Sequence, residues 1–315
     1  MKDIIIYLDG SMIQADQKLL KSLSLGILPG QGVFETMRAY CRKKDPKFAK
    51  IFQLDAHLSR LAKGLRILNI PKPISSKKMK EISEEILRCN GLRSARVRLT
   101  VWKMGKKVHV AIAAVPYESF PEIKYQKGFK AMVSSLKLEE SSVLKGIKSI
   151  RYAAFLKAYQ RAKLAGYEEA LLLNHRGELV EGSRSNVFFV TDKVLCTPAL
   201  ASGCLAGITR RLVIEIAREM GIKVSQCKAT LEDVLKAQES FLTNSLLEVM
   251  PLTSIQGKDL NGGNPGRLTL KILQQYRRLV KPKNFSFPCK LTQKASTEIF
   301  GFNPAVQKKS PRDFF

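Results

Sequence analysis

The chain has 315 residues, 45% hydrophobic content and one Trp, enough to bury one large or two medium domains. Its formal charge of +27 is spread in short groups such as Lys77-Lys78, Lys106-Lys107 and Arg210-Arg211, without an aromatic RNA-binding motif or zinc-finger spacing. That distribution argues against a nucleic-acid partner and for a basic surface or an anionic substrate. Six cysteines, at 41, 89, 196, 204, 227 and 289, lack the density and pairing of a disulfide scaffold. No apolar run nears the roughly 20 residues of a membrane span, and the start has no leader-like segment, so the cytoplasm is the expected compartment.

In chain order, Ile4 to Leu8 is an apolar run stopped by Asp9-Gly10 and predicts a first strand. Gly32 to Ala39, Arg96 to Trp102 and Val108 to Val115 have the same strand character. Between them, Leu54, Leu58, Leu61 and Leu65 recur at three- and four-residue intervals, which gives a helix over 54–68 one apolar face. A second helix over 77–89 turns Ile82, Ile86 and Leu87 inward. These elements predict an α+β domain over residues 1–120.

At Ser119-Phe120-Pro121 the apolar pattern pauses and a proline removes a backbone donor, which marks a linker. A second domain follows over 121–280. It begins with the segment 129–137 and a helix over 152–165. Strands over 170–174 and 178–180 then flank His175-Arg176-Gly177, and further strands cover 187–190 and 194–197. A helix over 209–220 closes at Gly221 in a left-handed cap. Residues 281–315 hold four prolines and seven Lys or Arg against two acids, the composition of a surface-wrapping or disordered tail.

Three pieces of this layout carry chemistry. Lys148, in Gly146-Ile147-Lys148-Ser149-Ile150-Arg151-Tyr152, stands just before a helix, where desolvation lowers an amine's pKa and frees its lone pair. Glu181, in Val180-Glu181-Gly182-Ser183-Arg184-Ser185-Asn186, puts one acid between a strand and a Gly-Ser turn. Ala206-Gly207-Ile208-Thr209 opens a helix whose first amides and positive dipole end suit a dianion. Thr209 adds a hydroxyl there, or serves only as an N-cap. Arg60, on the polar side of the leucine helix, supplies a bidentate charge. An amine for an aldehyde, an acid for a ring nitrogen and a cradle for a phosphate are together the needs of pyridoxal phosphate.

The chain resembles the class IV aminotransferases, the fold-type IV pyridoxal-phosphate enzymes that include branched-chain and D-amino-acid aminotransferases and aminodeoxychorismate lyase. The motifs come in family order: Gly30-Gln31-Gly32-Val33-Phe34-Glu35-Thr36-Met37-Arg38, His57-Leu58-Ser59-Arg60-Leu61, Lys148-Ser149, Glu181 to Asn186, Gly207-Ile208-Thr209-Arg210, then Leu242-Thr243-Asn244-Ser245 with Glu248-Val249-Met250-Pro251. The resemblance implies a small α+β domain followed by a larger pseudo-barrel domain, with the cofactor between them, in a homodimer. It makes Lys148 the Schiff-base lysine and proton shuttle and Glu181 the partner of the ring nitrogen. Arg60, Ile208, Thr209 and Ser245 become phosphate ligands, and Phe34 lines the substrate pocket.

Two positions depart from the family pattern. Arg151 stands where many relatives have Asn or Ser, and Lys103-Met104-Gly105 replaces a commonly seen Arg-Gly pair in the pocket-facing hairpin. Lysine is no bidentate substitute for arginine, which alters carboxylate recognition at Lys103, and Arg98, on the strand leading into that hairpin, is a weaker candidate for the same role. The implied reaction moves an amino group between an amino acid, of branched-chain type, and a 2-oxo acid in ping-pong fashion. Thr36 matches a threonine of the lyases, so formation of 4-aminobenzoate and pyruvate from aminodeoxychorismate is the alternative. A non-catalytic cofactor-binding protein is the second.

Overall fold

The computed structural model describes residues 4–25, 28–41, 49–139, 144 and 146–280. The basic tail over 281–315 and Cys289 lie outside the described residues. The chain divides into two compact units. One is formed by the described part of Met1–Glu118 with Ser149–Arg151, the other by Ser119–Lys148 and Tyr152–Val280.

In the first unit β1 (Ile4–Leu8), β2 (Ser11–Ala15), α1 (Gln17–Leu25), β3 (Gln31–Cys41), β4 (Ala49–Ile51), α2 (Leu54–Ile67), α3 (Ser76–Cys89), β5 (Ala95–Met104) and β6 (Lys107–Pro116) follow in order. The strands form an antiparallel sheet of order β2-β1-β6-β5-β3-β4. The predicted leucine face of α2 is buried through Leu54, Leu58, Leu61 and Leu65, with His57 among them. Ile82, Ile86 and Leu87 of α3 are buried as expected, together with Met79. β2, α1 and β4 have no counterpart in the sequence reading; they are short, and Ser11–Ala15 carries neither strict alternation nor a β-branched run. Residues 149–151 join this unit by main-chain contact, since Ser149 bridges Val33 and the Ile150 amide donates to Gly32 O at 3.0 Å.

The second unit holds α4 (Glu122–Lys127), β7 (Phe129–Leu138), α5 (Ala153–Leu164), β8 (Glu169–Asn174), β9 (Leu179–Gly182), β10 (Asn186–Thr191), β11 (Val194–Pro198), α6 (Ile208–Glu219), β12 (Val224–Cys227), α7 (Leu231–Leu235), β13 (Glu239–Asn244), β14 (Glu248–Ile255), β15 (Lys258–Asp259) and α8 (Arg267–Val280). Among the described residues its sheet has the order β12-β11-β10-β13-β14-β7-β8-β9, with β15 on β14. The pairs β11–β12, β14–β7 and β7–β8 are parallel and the remainder antiparallel. β9 ends the order while β10 lies deep inside it, yet only Ser183–Ser185 separate them in sequence. That turn therefore curls the sheet back on itself, and the Gly182 amide donates across it to Ser185 O at 2.7 Å. Ala158 and Ala162 of α5 pack on Ala170 and Leu172 of β8. α6 ends where glycine predicts, with Gly221 at φ +73° and its amide on Arg218 O at 2.9 Å.

Candidate functional site

The turn between β9 and β10 anchors neighbours of several predicted residues of the second unit. Beneath it lies Glu169, 1% exposed, whose carboxylate accepts from the hydroxyls of Ser183 and Ser185 (2.8 Å for Ser185) and from the Ala170 amide at 2.9 Å. A buried carboxylate needs this many donors to replace lost water. With the turn so held, its outward atoms become fixed points. Ser183 O accepts the hydroxyl of Tyr152, whose ring centre lies 5.9 Å from Lys148 Nζ. Arg184 O accepts Asn244 Nδ2 at 2.9 Å, and Asn244 Oδ1 accepts the amides of Leu246 and Leu247 at 2.8 and 2.7 Å, which shapes the bend holding Ser245.

Glu181 lies in β9, half-buried, with Oε2 accepting the Leu205 amide at 3.0 Å and Asn186 Nδ2 at 3.3 Å. Asn186 Nδ2 also donates to Leu205 O at 2.9 Å. One side chain thus ties the acid to the segment that enters α6. Gly207 is the N-cap of that helix, and a Cβ there would come within 2.0 Å of Asn186 Oδ1, so any larger residue has to displace that side chain. Thr209 sits buried inside the first turn, which rules out its reading as the N-cap. The first intrahelical bond comes from the Arg211 amide to Gly207 O at 3.0 Å, so the amides of Ile208 and Thr209 stand ahead of the ladder where an anion is favoured.

In the first unit, β3 and β5 pair Thr36 with Arg98 and Phe34 with Thr100. Arg98 lies over the Phe34 ring at 3.4 Å, and its Nη1 donates to Thr36 Oγ1 at 3.3 Å. Phe34, Thr36 and Arg98 are therefore one cluster. Lys103, five residues along the same unbroken ladder, points to the opposite face. Arg151 is exposed, with its amide on Ser149 Oγ at 3.2 Å. Arg60 is half-buried and donates to Glu35 through Nε at 2.7 Å and Nη2 at 2.6 Å.

Several of these residues escape sequence reasoning. Glu169 meets its serines 14 and 16 positions away, a separation that no helical or strand period signals. Tyr152 reads as a mere helix start, and Asn186 closes the Glu181–Asn186 motif with no task that the sequence assigns to it. The donor set nonetheless suits pyridoxal phosphate: an amine at Lys148, an acid with two polar partners at Glu181, and a glycine-entered helix N-terminus with a hydroxyl.

The family model for amino-transferase class IV matches residues 32–255. The chain belongs to this family. A branched-chain-amino-acid aminotransferase of Pseudomonas aeruginosa is 32% identical to this class IV aminotransferase over 294 residues, covering 90% of this chain and 94% of its own. A crystal structure of the T.th. branched-chain amino acid aminotransferase with pyridoxamine 5'-phosphate has a TM-score of 0.81 at 29% identity, covering 90% of this chain and 97% of its own. A branched-chain aminotransferase of Thermoproteus uzoniensis, solved with norvaline, has a TM-score of 0.78 at 30% identity, covering 88% and 94%. The class IV aminotransferase described here has the fold-type IV architecture and is a pyridoxal-phosphate-dependent enzyme. Among its described residues no helix is long and apolar enough to cross a membrane.

Proposed function

We propose that this aminotransferase moves an amino group between a branched-chain amino acid and a 2-oxo acid, with Lys148 as the residue that holds the cofactor and carries the proton. Pyridoxal phosphate supplies an electron-poor ring that makes the amino acid's α-proton acidic. Lys148 takes that proton and returns it on the far side of the reaction as general base and acid. Glu181 keeps the ring nitrogen protonated. Ile208, Thr209 and Ser245 bind the phosphate, and Arg60 is assigned to it on its place in the motif. Phe34, Thr36 and Arg98 face the substrate; Lys103 is a weaker candidate because of the face it takes. Residues 1–120 and 121–280 are proposed as the two domains, the chain as a homodimer and the cytoplasm as its compartment.

The observation that carries this reading is the shared anchoring of Glu181, the entry of α6 and the Ser245 bend by Asn186 and the turn over 182–185. Support for the substrate comes from relatives named branched-chain aminotransferases. The deciding experiment gives the purified protein glutamate with a panel of 2-oxo acids, and aminodeoxychorismate separately. Exchange with the oxo acids of leucine, isoleucine and valine is expected. Formation of 4-aminobenzoate without any exchange would reject transamination, and exchange restricted to other oxo acids would reject the branched-chain preference.

A further inference from the structure

Glu35 has no role in the proposed reaction, yet it is among the most enclosed charges of the first unit, at 0% exposure. It projects from β3 toward α2, and both of its oxygens are engaged. Oε1 accepts Arg60 Nε at 2.7 Å; Oε2 accepts Arg60 Nη2 at 2.6 Å and stands 2.7 Å from His57 Nδ1. His57 and Arg60 are three residues apart on α2 and so share the face that meets the sheet. Around them the helix buries Leu58, Leu61 and Leu65 and the strand buries Val33 and Met37. An apolar residue at 35 would join that core at no desolvation cost, whereas a buried carboxylate is weak evidence for stability. The charge therefore calls for a purpose other than packing.

Its geometry supplies one. A carboxylate that grips both Nε and Nη2 fixes the plane and roll of a guanidinium, which a single contact does not. Arginine is otherwise a long side chain with much rotamer freedom to lose when it meets an anion. We propose that Glu35 is a positioning residue that orients the Arg60 guanidinium for the cofactor phosphate, with His57 completing the shell of the carboxylate. This rests on the assignment of Arg60 as a phosphate ligand. Glu35 touches no reacting atom; it acts through Arg60, and its effect is confined to ligands that carry the phosphate.

The test compares two ligands on the full-length protein freed of cofactor: pyridoxal 5'-phosphate and pyridoxal, each titrated by its visible absorbance on Lys148. The ratio of the two affinities measures phosphate selectivity. Glu35→Gln is expected to lower that ratio roughly 10–100-fold, the size seen when a partner behind a ligating residue is lost. Affinity for pyridoxal stays unchanged. Arg60→Ala lowers the ratio at least as far, and the double variant no further than Arg60→Ala alone, because Glu35 acts only through Arg60. Should the glutamine variant fail to fold, Glu35→Asp keeps the charge but withdraws it by one carbon, and the same loss of selectivity is expected. Full selectivity in a folded Glu35 variant, or equal weakening of both ligands, overturns the inference while Arg60 keeps its assignment. Full selectivity in Arg60→Ala instead rejects the assignment of Arg60 itself.

Discussion

A glycine at 207 leaves space that no other residue would leave. Alanine there would press its methyl to 2.0 Å from Asn186 Oδ1 and push that side chain off both Glu181 and Leu205 O. Gly207→Ala is expected to lose about 1–3 kcal/mol of stability, as overpacked sites do, and to weaken cofactor binding in the same protein. Chemical denaturation and a cofactor titration read the two effects separately. If Lys148 holds the cofactor as proposed, Lys148→Ala removes the amine, so the absorption of the lysine-bound cofactor should vanish and kcat fall by at least the roughly 10²–10⁴-fold typical of a lost general base.

The acid–base balance of Glu35 has its own signature. Burial pushes its carboxyl up, but the charge and hydrogen bonds of Arg60 and then His57 outweigh burial and hold it at about 2, below the ordinary 4.5. A depressed folded value means stability that is present above about 4.5 and lost as pH falls toward 2, on the order of 3 kcal/mol in all. Unfolding by urea across that range should show wild type and Glu35→Gln converging at the acid end. A constant gap between them would contradict the linkage. At this scale the sequence offers Lys148, Glu181 and Thr209 as candidates because each sits in a short motif, whereas Glu35's bond to Arg60 spans 25 positions and Glu169's to its serines 14 and 16. Such long-range pairing leaves no local pattern.

Elements with a strong period were legible, and those held by context were not. α2 and α3 repeat apolar residues at helical spacing and were placed to within a residue or two. α7 has five residues and little of its own periodicity; it exists because Thr230 and Asp233 close a capping box at its start. Thr230→Ala is expected to cost about 1 kcal/mol, read as a shift in the urea midpoint with an unchanged slope. α8 is the exception: its apolar face is as regular as those of α2 and α3, with Ile272, Leu273, Tyr276 and Val280 buried, yet no helix is predicted there from the sequence; its outer side is tied down by Arg277. That arginine reaches Glu248 at 2.9 Å and Glu122 at 3.0 Å and lies over the Tyr125 ring at 4.3 Å. Since Arg277 is 23% exposed and Glu248 only 4%, Arg277→Ala should cost about 2 kcal/mol, short of the ~3–5 of a fully buried pair.

For the whole molecule, the proline-marked pause near residue 121 leads to an expectation of domains over 1–120 and 121–280, whereas the compact units divide at Glu118 and Ser119 and the first of them takes in Ser149–Arg151. What the sequence did not reveal was that residues 149–151 bind main chain to β3, because backbone pairing of an irregular segment depends on no side-chain pattern. A homodimer predicts a sedimentation mass near twice that of one 35.3 kDa chain, and a mass of one chain at micromolar concentration would reject it. The turn over 182–185 has a further consequence in time. Tyr152, Asn244 and the strand bearing Glu181 all fasten to those few residues. A single local opening, far smaller than unfolding, would release the surroundings of Lys148, Glu181 and the Ser245 bend at once. Amides of the turn should then exchange with solvent at one common rate, and cofactor escape should keep pace with them.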